Sequence, residues 1–451
     1  MSDKKHPHRL IWFCQMESVA EKPELLLRLK EEIGLTTIMP ESHVCHTSGF
    51  AASRELAHNG PFEDWKSRLD LWPRGKDGTY PPVAGIVSGF DDAPLLKLIE
   101  ACKQVGIEVW GHIGLWSYGG NVFPEYAMRD IEGNHLDERY KQWGIGLCPS
   151  RKEINEWTKD GLVEAVKRYG IDGFCVDHAR YPAPANLSAL FACGCDNCRE
   201  EAESQGFAFE SLKKGLLRWR ESVRGLTRER LRAIVDAQPG FWDFLRWLGD
   251  DGVVLEWLEC RALLLAGQME EFARAVKEAG GEDKVFGSDV FPPSIALLGG
   301  HLYDAWERGA DYLTGGSSFG GVVGWATTVT NLATEWAPAL CRTVEGVTEE
   351  EALRLIYRLF GYDDLDLPMS VEGIQNGALP LDEIFAREVA RLKAGTSGNV
   401  PLYPPVSAGG DPERVRRLCR AVADNGCDGA MVGLDVSKGE NLKIVREILG
   451  G

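Results

Sequence analysis

The chain has 451 residues, 44% of them hydrophobic and 26% charged, enough to bury the core of one elaborated domain. Lys and Arg number 50 against 68 Asp and Glu, and the net charge of −18 argues against a nucleic-acid or anionic-membrane partner, either of which wants a basic face. The 12 Cys form no disulfide framework, no run approaches the roughly 18 apolar residues of a membrane span, and the polar start carries no apolar leader, so the expected location is the cytoplasm.

Short apolar runs alternate with amphipathic stretches, the pattern of repeated βα units. Residues 10–17 (LIWFCQME) form the first predicted strand, and a helix over 23–33 starts on proline. A second strand over 36–40 precedes a long excursion to about 93. A helix over 94–105 leads into strand three, 107–113, and a Gly- and aromatic-rich loop follows to 150. The helix over 152–169 leads into strand four, 173–177, whose loop carries a tight Cys cluster. Helical sequence then runs from about 210 to 279, strand five covers 284–289 and strand six 310–314. More helix fills much of 327–360, and 400–403 and 429–435 are strands seven and eight, with helices over 412–425 and 440–449. The expectation is an α/β fold, a single (β/α)8 TIM barrel over 1–451 with loop insertions after strands two, three and four at about 41–93, 114–150 and 178–209.

Reactive groups of such a barrel come from the carboxyl-terminal strand ends. In order these are Glu17, Glu41, His112, Asp177, Asp289, Thr314, Tyr403 and Asp435, and five of the eight are carboxylates. Carboxylate pairs are what glycosidic cleavage needs: one protonates the leaving oxygen, the other attacks or activates water. Alternation puts Gly173, Cys175 and Asp177 on one face of strand four, with Asp177 emerging at the mouth. Arg180 can hold that carboxylate ionised, and Pro182 fixes the direction of the loop.

The segment 170–182, GIDGFCVDHARYP, resembles the uncharacterised bacterial glycoside-hydrolase-like barrel families. More distantly it is similar to strand four of α-amylase-type retaining glycosidases. The likeness extends through the Cys-x-Cys-x-x-Cys loop and 285–294, VFGSDVFPPS, and so covers about residues 105–325. It implies Asp177 as nucleophile or sugar-binding carboxylate and Asp289 as acid/base. The chain departs from the amylase pattern with Asp rather than Glu at 289 and no Arg two residues before Asp177.

The candidate catalytic residues are therefore Asp177, Asp289 and His112, the last a strand-end histidine. Glu17, Glu41, His43, Trp116, His178, Arg180, Tyr181, Tyr403 and Asp435 are candidates for binding substrate. Trp116 is a sugar-stacking surface in a Gly-rich loop, and the 14 Trp of the chain lean toward carbohydrate. Cys193, Cys195 and Cys198 have the spacing of a structural zinc site but want a fourth ligand, for which Cys148, Cys260 or a distant His would have to fold in. Reduced thiols packing a turn are the alternative. No cofactor is required. The expected activity is an exo-acting glycoside hydrolase on a terminal sugar, with a carbohydrate as partner and a homo-oligomer compatible with the sequence. The rivals are an inverting sialidase-like glycosidase pairing a carboxylate with His112 or His178, a barrel lyase, and a non-catalytic sugar-binding barrel.

Overall fold

The computed structural model describes residues 6–15, 19, 22–41, 93–116, 124–136, 146–177, 179–182, 184, 187, 189–315, 329–376 and 379–450. In chain order they form β1 (Arg9–Gln15), α1 (Pro23–Ile33), β2 (Thr37–Glu41), α2 (Ala93–Val105), β3 (Glu108–Gly114), α3 (Lys152–Tyr169) and β4 (Gly173–Asp177). Five helices follow: α4 (Asp196–Ser204), α5 (Phe209–Arg224), α6 (Arg228–Asp236), α7 (Phe241–Trp247) and the long α8 (Val253–Gly280). Beyond β5 (Val285–Ser288) lie α9 (Ala296–Gly299), α10 (Tyr303–Trp306), α11 (Val329–Thr343), α12 (Glu349–Phe360), α13 (Val371–Asn376) and α14 (Leu381–Gly395). The chain finishes with β6 (Pro405–Ser407), α15 (Pro412–Asp424), β7 (Gly429–Gly433) and α16 (Gly439–Leu449).

All sheet pairs are parallel, in the order β5-β4-β3-β2-β1-β7-β6. Both edges of this curled sheet reach Leu313, which bridges in parallel to Ser288 of β5 and to Leu402 just ahead of β6. The predicted sixth strand is short but bonded on both sides: the Asp311 and Thr314 N–H groups donate to Phe286 O at 2.7 Å and Ser288 O at 3.0 Å, and the Leu313 N–H donates to Pro401 O at 3.1 Å. The predicted seventh begins five residues later, as β6; Pro401, Pro404 and Pro405 bring no N–H to a ladder. The architecture is a helix-wrapped, TIM-barrel-like sheet.

Strand alternation sorts the core. Ile11, Met39, Trp110, Cys175, Tyr312, Tyr403 and Met431 pack into one interior layer, while Trp12, Ile38, Val109, Phe174, Phe286 and Val432 face the helices. Gly287 makes this layer possible, since a Cβ there would meet the Tyr312 ring at 2.1 Å. At the amino-terminal end of the sheet three aspartates accept the N–H of the neighbouring stave: Asp172 from Val109 at 2.9 Å, Asp311 from Phe286 at 2.8 Å and Asp428 from Leu402 at 3.1 Å. The Asp-Gly pair in the strand-four motif therefore owes its aspartate to strand pairing.

Candidate active site

Above the interior layer, toward the carboxyl-terminal strand ends, the next inward positions are Phe13, His112, Asp177, Asp289 and Thr314. His112 Nε2 lies 3.7 Å from Asp177 Oδ2. The Phe13 ring meets the imidazole edge-on, with centroids 5.0 Å apart. Nδ1 of His112 is buried and has no hydrogen-bond partner among the described residues. Burial lowers the pKa of this histidine, and the charge of Asp177 opposes that shift.

Asp289 follows β5 directly, and its backbone N–H donates to Val176 O at 2.8 Å, which ties it to the strand that ends in Asp177. The Thr314 hydroxyl, fully buried, donates to Asp289 Oδ1 at 3.2 Å. Burial first, and then the charge of Asp177, hold the Asp289 carboxyl well above the ordinary carboxylate range; Thr314 and Arg180 pull the other way. Arg180 is 5% exposed, with its guanidinium 5.1 Å over the Phe291 ring and Nη1 donating to Tyr181 O at 3.2 Å. Two neighbouring strand ends thus hold acids in different environments. Asp289 keeps its proton to higher pH, while the side chain of Asp177 is partly exposed at 26%.

Sequence reasoning missed His301. Its Nδ1 accepts the Phe291 N–H at 2.8 Å, so its proton sits on Nε2, 3.1 Å from Ala179 O. Ala179 stands two residues beyond Asp177 and Phe291 two beyond Asp289, so one buried imidazole clasps both loops. Burial pushes its pKa down to about 3. No local motif marks this role, because the histidine follows the short α9 and meets both loops only in the folded chain.

Several predicted binding residues lie elsewhere. Tyr181 is fully buried, 4.8 Å under the Arg261 guanidinium, so it forms part of the wall behind the mouth. Tyr403 is 1% exposed in the interior layer, and its hydroxyl donates to Pro7 O at 2.8 Å. It lines a cavity of about 670 Å³ at the opposite, amino-terminal end of the strands, with Arg9, Trp110, Lys277 and Tyr312. Trp116 is 4% exposed and spends its indole N–H on Asn155 Oδ1 at 2.8 Å, so it anchors its loop and offers no open face. Asp435 accepts the Ser437 N–H at 3.1 Å and hydroxyl at 2.6 Å, closing a turn. Glu17, His43 and His178 lie outside the described residues, as do residues 42–92 of the predicted strand-two insertion; Glu41 ends β2, with its side chain outside them. The described tryptophans are largely core: Trp110, Trp257 and Trp306 are fully buried.

The Cys cluster gains a member. Cys148, ahead of α3, joins Cys193, Cys195 and Cys198 with the four sulfurs within 4.8 Å of one another, an arrangement that can hold a metal ion.

Fold and strand-end acids together define the class: a TIM-barrel-like α/β protein with a carboxylate–histidine cluster where the strands finish. The sequence matches no protein family and no curated protein. Among solved structures, the chain is similar to the PgaB (BpsB) glycoside hydrolase domain from Bordetella bronchiseptica, with a TM-score of 0.51 at 9% identity over 98% of this chain and 99% of that one. A β-galactosidase from the psychrophilic Marinomonas ef1 aligns with TM-score 0.48 at 10% identity, over 98% of this chain and 59% of that one. The catalytic domain of the Paenibacillus polymyxa β-amylase gives 0.44 at 11% identity, over 98% of each chain. These structural neighbours are glycoside hydrolases, and at such identities the likeness is one of fold. Among the described residues no helix is long and apolar enough to cross a membrane.

Proposed function

We propose that this chain is a glycoside hydrolase acting on a terminal sugar, with Asp289 as general acid and Asp177 as nucleophile or water activator. The observation that carries the reading is the unequal pair of strand-end carboxyls: burial and the neighbouring charge of Asp177 keep the proton on Asp289. In the first step Asp289 gives that proton to the glycosidic oxygen as the anomeric C–O bond breaks. Asp177 then either bonds to the anomeric carbon or takes a proton from the water that does. In the covalent route water then cleaves the Asp177 ester and gives its proton to Asp289; in the direct route the proton taken up by Asp177 is lost to solvent, and solvent reprotonates Asp289. His112, in reach of Asp177, orients that carboxylate, while Arg180 and His178 serve the sugar hydroxyls. No cofactor takes part in these steps. The neighbours' fold is consistent with this reading.

A panel of chromogenic glycosides tests the proposal. Asp177→Asn should fold normally and lose about 10²–10⁴-fold in turnover on every substrate cleaved. Asp289→Asn should lose as much on alkyl glycosides, yet keep more activity on aryl glycosides, whose leaving groups need little protonation. Wild-type rates in either variant would remove that residue from the mechanism. The 3.7 Å contact between His112 and Asp177 favours a second reading, a carboxylate–histidine pair acting on an anionic sugar with Arg180 as counter-charge.

A further inference from the structure

We propose that Cys148, Cys193, Cys195 and Cys198 bind one zinc ion as a closed tetrathiolate that fastens the segment before α3 to the loop after β4. Geometry is the first support. Cys148 Sγ lies 3.5 Å from Sγ of both Cys195 and Cys198, and all four sulfurs fall within 4.8 Å. Zn–S bonds near 2.3 Å set tetrahedral sulfurs about 3.8 Å apart, whereas a disulfide needs about 2.05 Å. The spacing suits four ligands around a common centre better than two cross-links.

Stabilisation of thiolate charge is the second. The Arg129 N–H donates to Cys193 Sγ at 3.2 Å, the kind of outer contact that orients a metal-bound sulfur. Cys195 stands at the N-terminal boundary of α4 and Cys198 lies in its first turn, where the helix dipole favours negative charge. Gly194, between two ligands, lies so close to the Asp130 and Ile131 carbonyls that a Cβ would meet them at 2.4 and 2.6 Å. The close packing holds the Cys-x-Cys turn against the segment that leads to Cys148.

The third support is a buried cation. Arg261 is 2% exposed, and its guanidinium donates to the carbonyls of Leu190 at 2.9 Å, Ala192 at 2.6 Å and Leu298 at 3.0 Å. Among the described residues no carboxylate forms an ion pair with it. Buried charge calls for compensation. Four thiolates on one Zn²⁺ leave two negative charges, beginning at Cys193, the residue next to Ala192. Four protein ligands leave no open coordination position, so the ion is structural and enters no reaction step. The proposal stands whether or not the chain cleaves glycosides.

The test uses the full chain purified from zinc-supplemented medium. Elemental analysis should give roughly one zinc per chain, and Co²⁺ exchanged into it should show the intense bands of a tetrahedral thiolate complex. Cys148→Ser should reduce bound zinc about tenfold or more, while Cys341→Ser, outside the cluster, should retain it. Chelation should lower the melting temperature of the wild type and leave that of Cys148→Ser unchanged. Should Cys148→Ser fail to fold, the cobalt spectrum of the wild type decides alone. Wild-type protein that binds neither metal, a cobalt spectrum without thiolate bands, or disulfides among these four residues in the metal-supplemented protein would each overturn the site.

Discussion

Burial shifts the protonation of His301 and Asp289, both at the strand ends, in ways that stability measurements can read. His301 stays neutral because protonation would turn Nδ1 from acceptor to donor and oppose the Phe291 N–H. The unfolded chain takes up that proton near the ordinary histidine value, the native chain only near 3, so stability attached to this residue is lost as pH falls across that window. His301→Gln should therefore be less stable than wild type at neutral pH, with the deficit shrinking toward pH 4 in denaturant titrations. A deficit independent of pH would mean that the neutral imidazole is not what links the loops. Because the clasp spans both carboxyl loops, kcat should also fall about 10²-fold with KM little changed. Asp289 carries the opposite sign: its folded pKa is raised, so the native state holds a proton that the unfolded state has released, and stability declines as pH rises above the ordinary carboxylate range. Asp289→Asn removes that loss. Its melting temperature should exceed that of wild type by a margin that widens from pH 4 to pH 8, and the alkaline limb of the wild-type rate profile should report the same proton.

Strand starts depend on a device that composition alone does not reveal. Asp172, Asp311 and Asp428 each use a side-chain oxygen for the N–H of the preceding stave at the amino-terminal end of the sheet. Asp172→Ala leaves the Val109 N–H without that partner and should cost about 1–3 kcal/mol of stability by denaturant titration, with turnover per folded molecule unchanged. Lost turnover without lost stability would instead place Asp172 in the chemistry. The elements themselves were legible where local signals agree. The proline-started α1, α3 and β4 occur at their expected bounds, since amphipathic period, cap and apolar run coincide there. Strand six, expected over 310–314, is present as a short stave whose Asp311, Leu313 and Thr314 N–H groups bond to Phe286, Pro401 and Ser288, while the Asp311 side chain takes a neighbour's N–H. The helices α13 and α14 lie between the helical sequence that ends at 360 and the strand expected at 400, a stretch for which the sequence predicts no element. Strand-end order places Asp177, Asp289 and His112 near one another, because alternation and barrel closure are written locally. Burial of Tyr181, Trp116 and Tyr403 is decided by distant partners such as Arg261, Asn155 and Pro7, so their polar tips misled.

The charge of the whole molecule separates the two readings of the site. With 50 basic against 68 acidic side chains, the chain carries −18 and repels an approaching anion at long range. Ions at about 0.15 M shorten that repulsion to roughly 8 Å. A neutral glycoside feels none of it, so kcat/KM should stay flat as salt rises from low to physiological strength. An anionic sugar should gain in kcat/KM over the same range, because screening removes the repulsive field before Arg180, deep in the mouth and 5% exposed, can act at contact distance. Measured on paired neutral and carboxylate-bearing chromogenic sugars, a flat profile with preference for the neutral member supports the carboxylate-pair mechanism. A preference for the charged member, with the rise on added salt expected of a repelled anion, would sink that mechanism in favour of the carboxylate–histidine reading, in which Arg180 acts at contact distance.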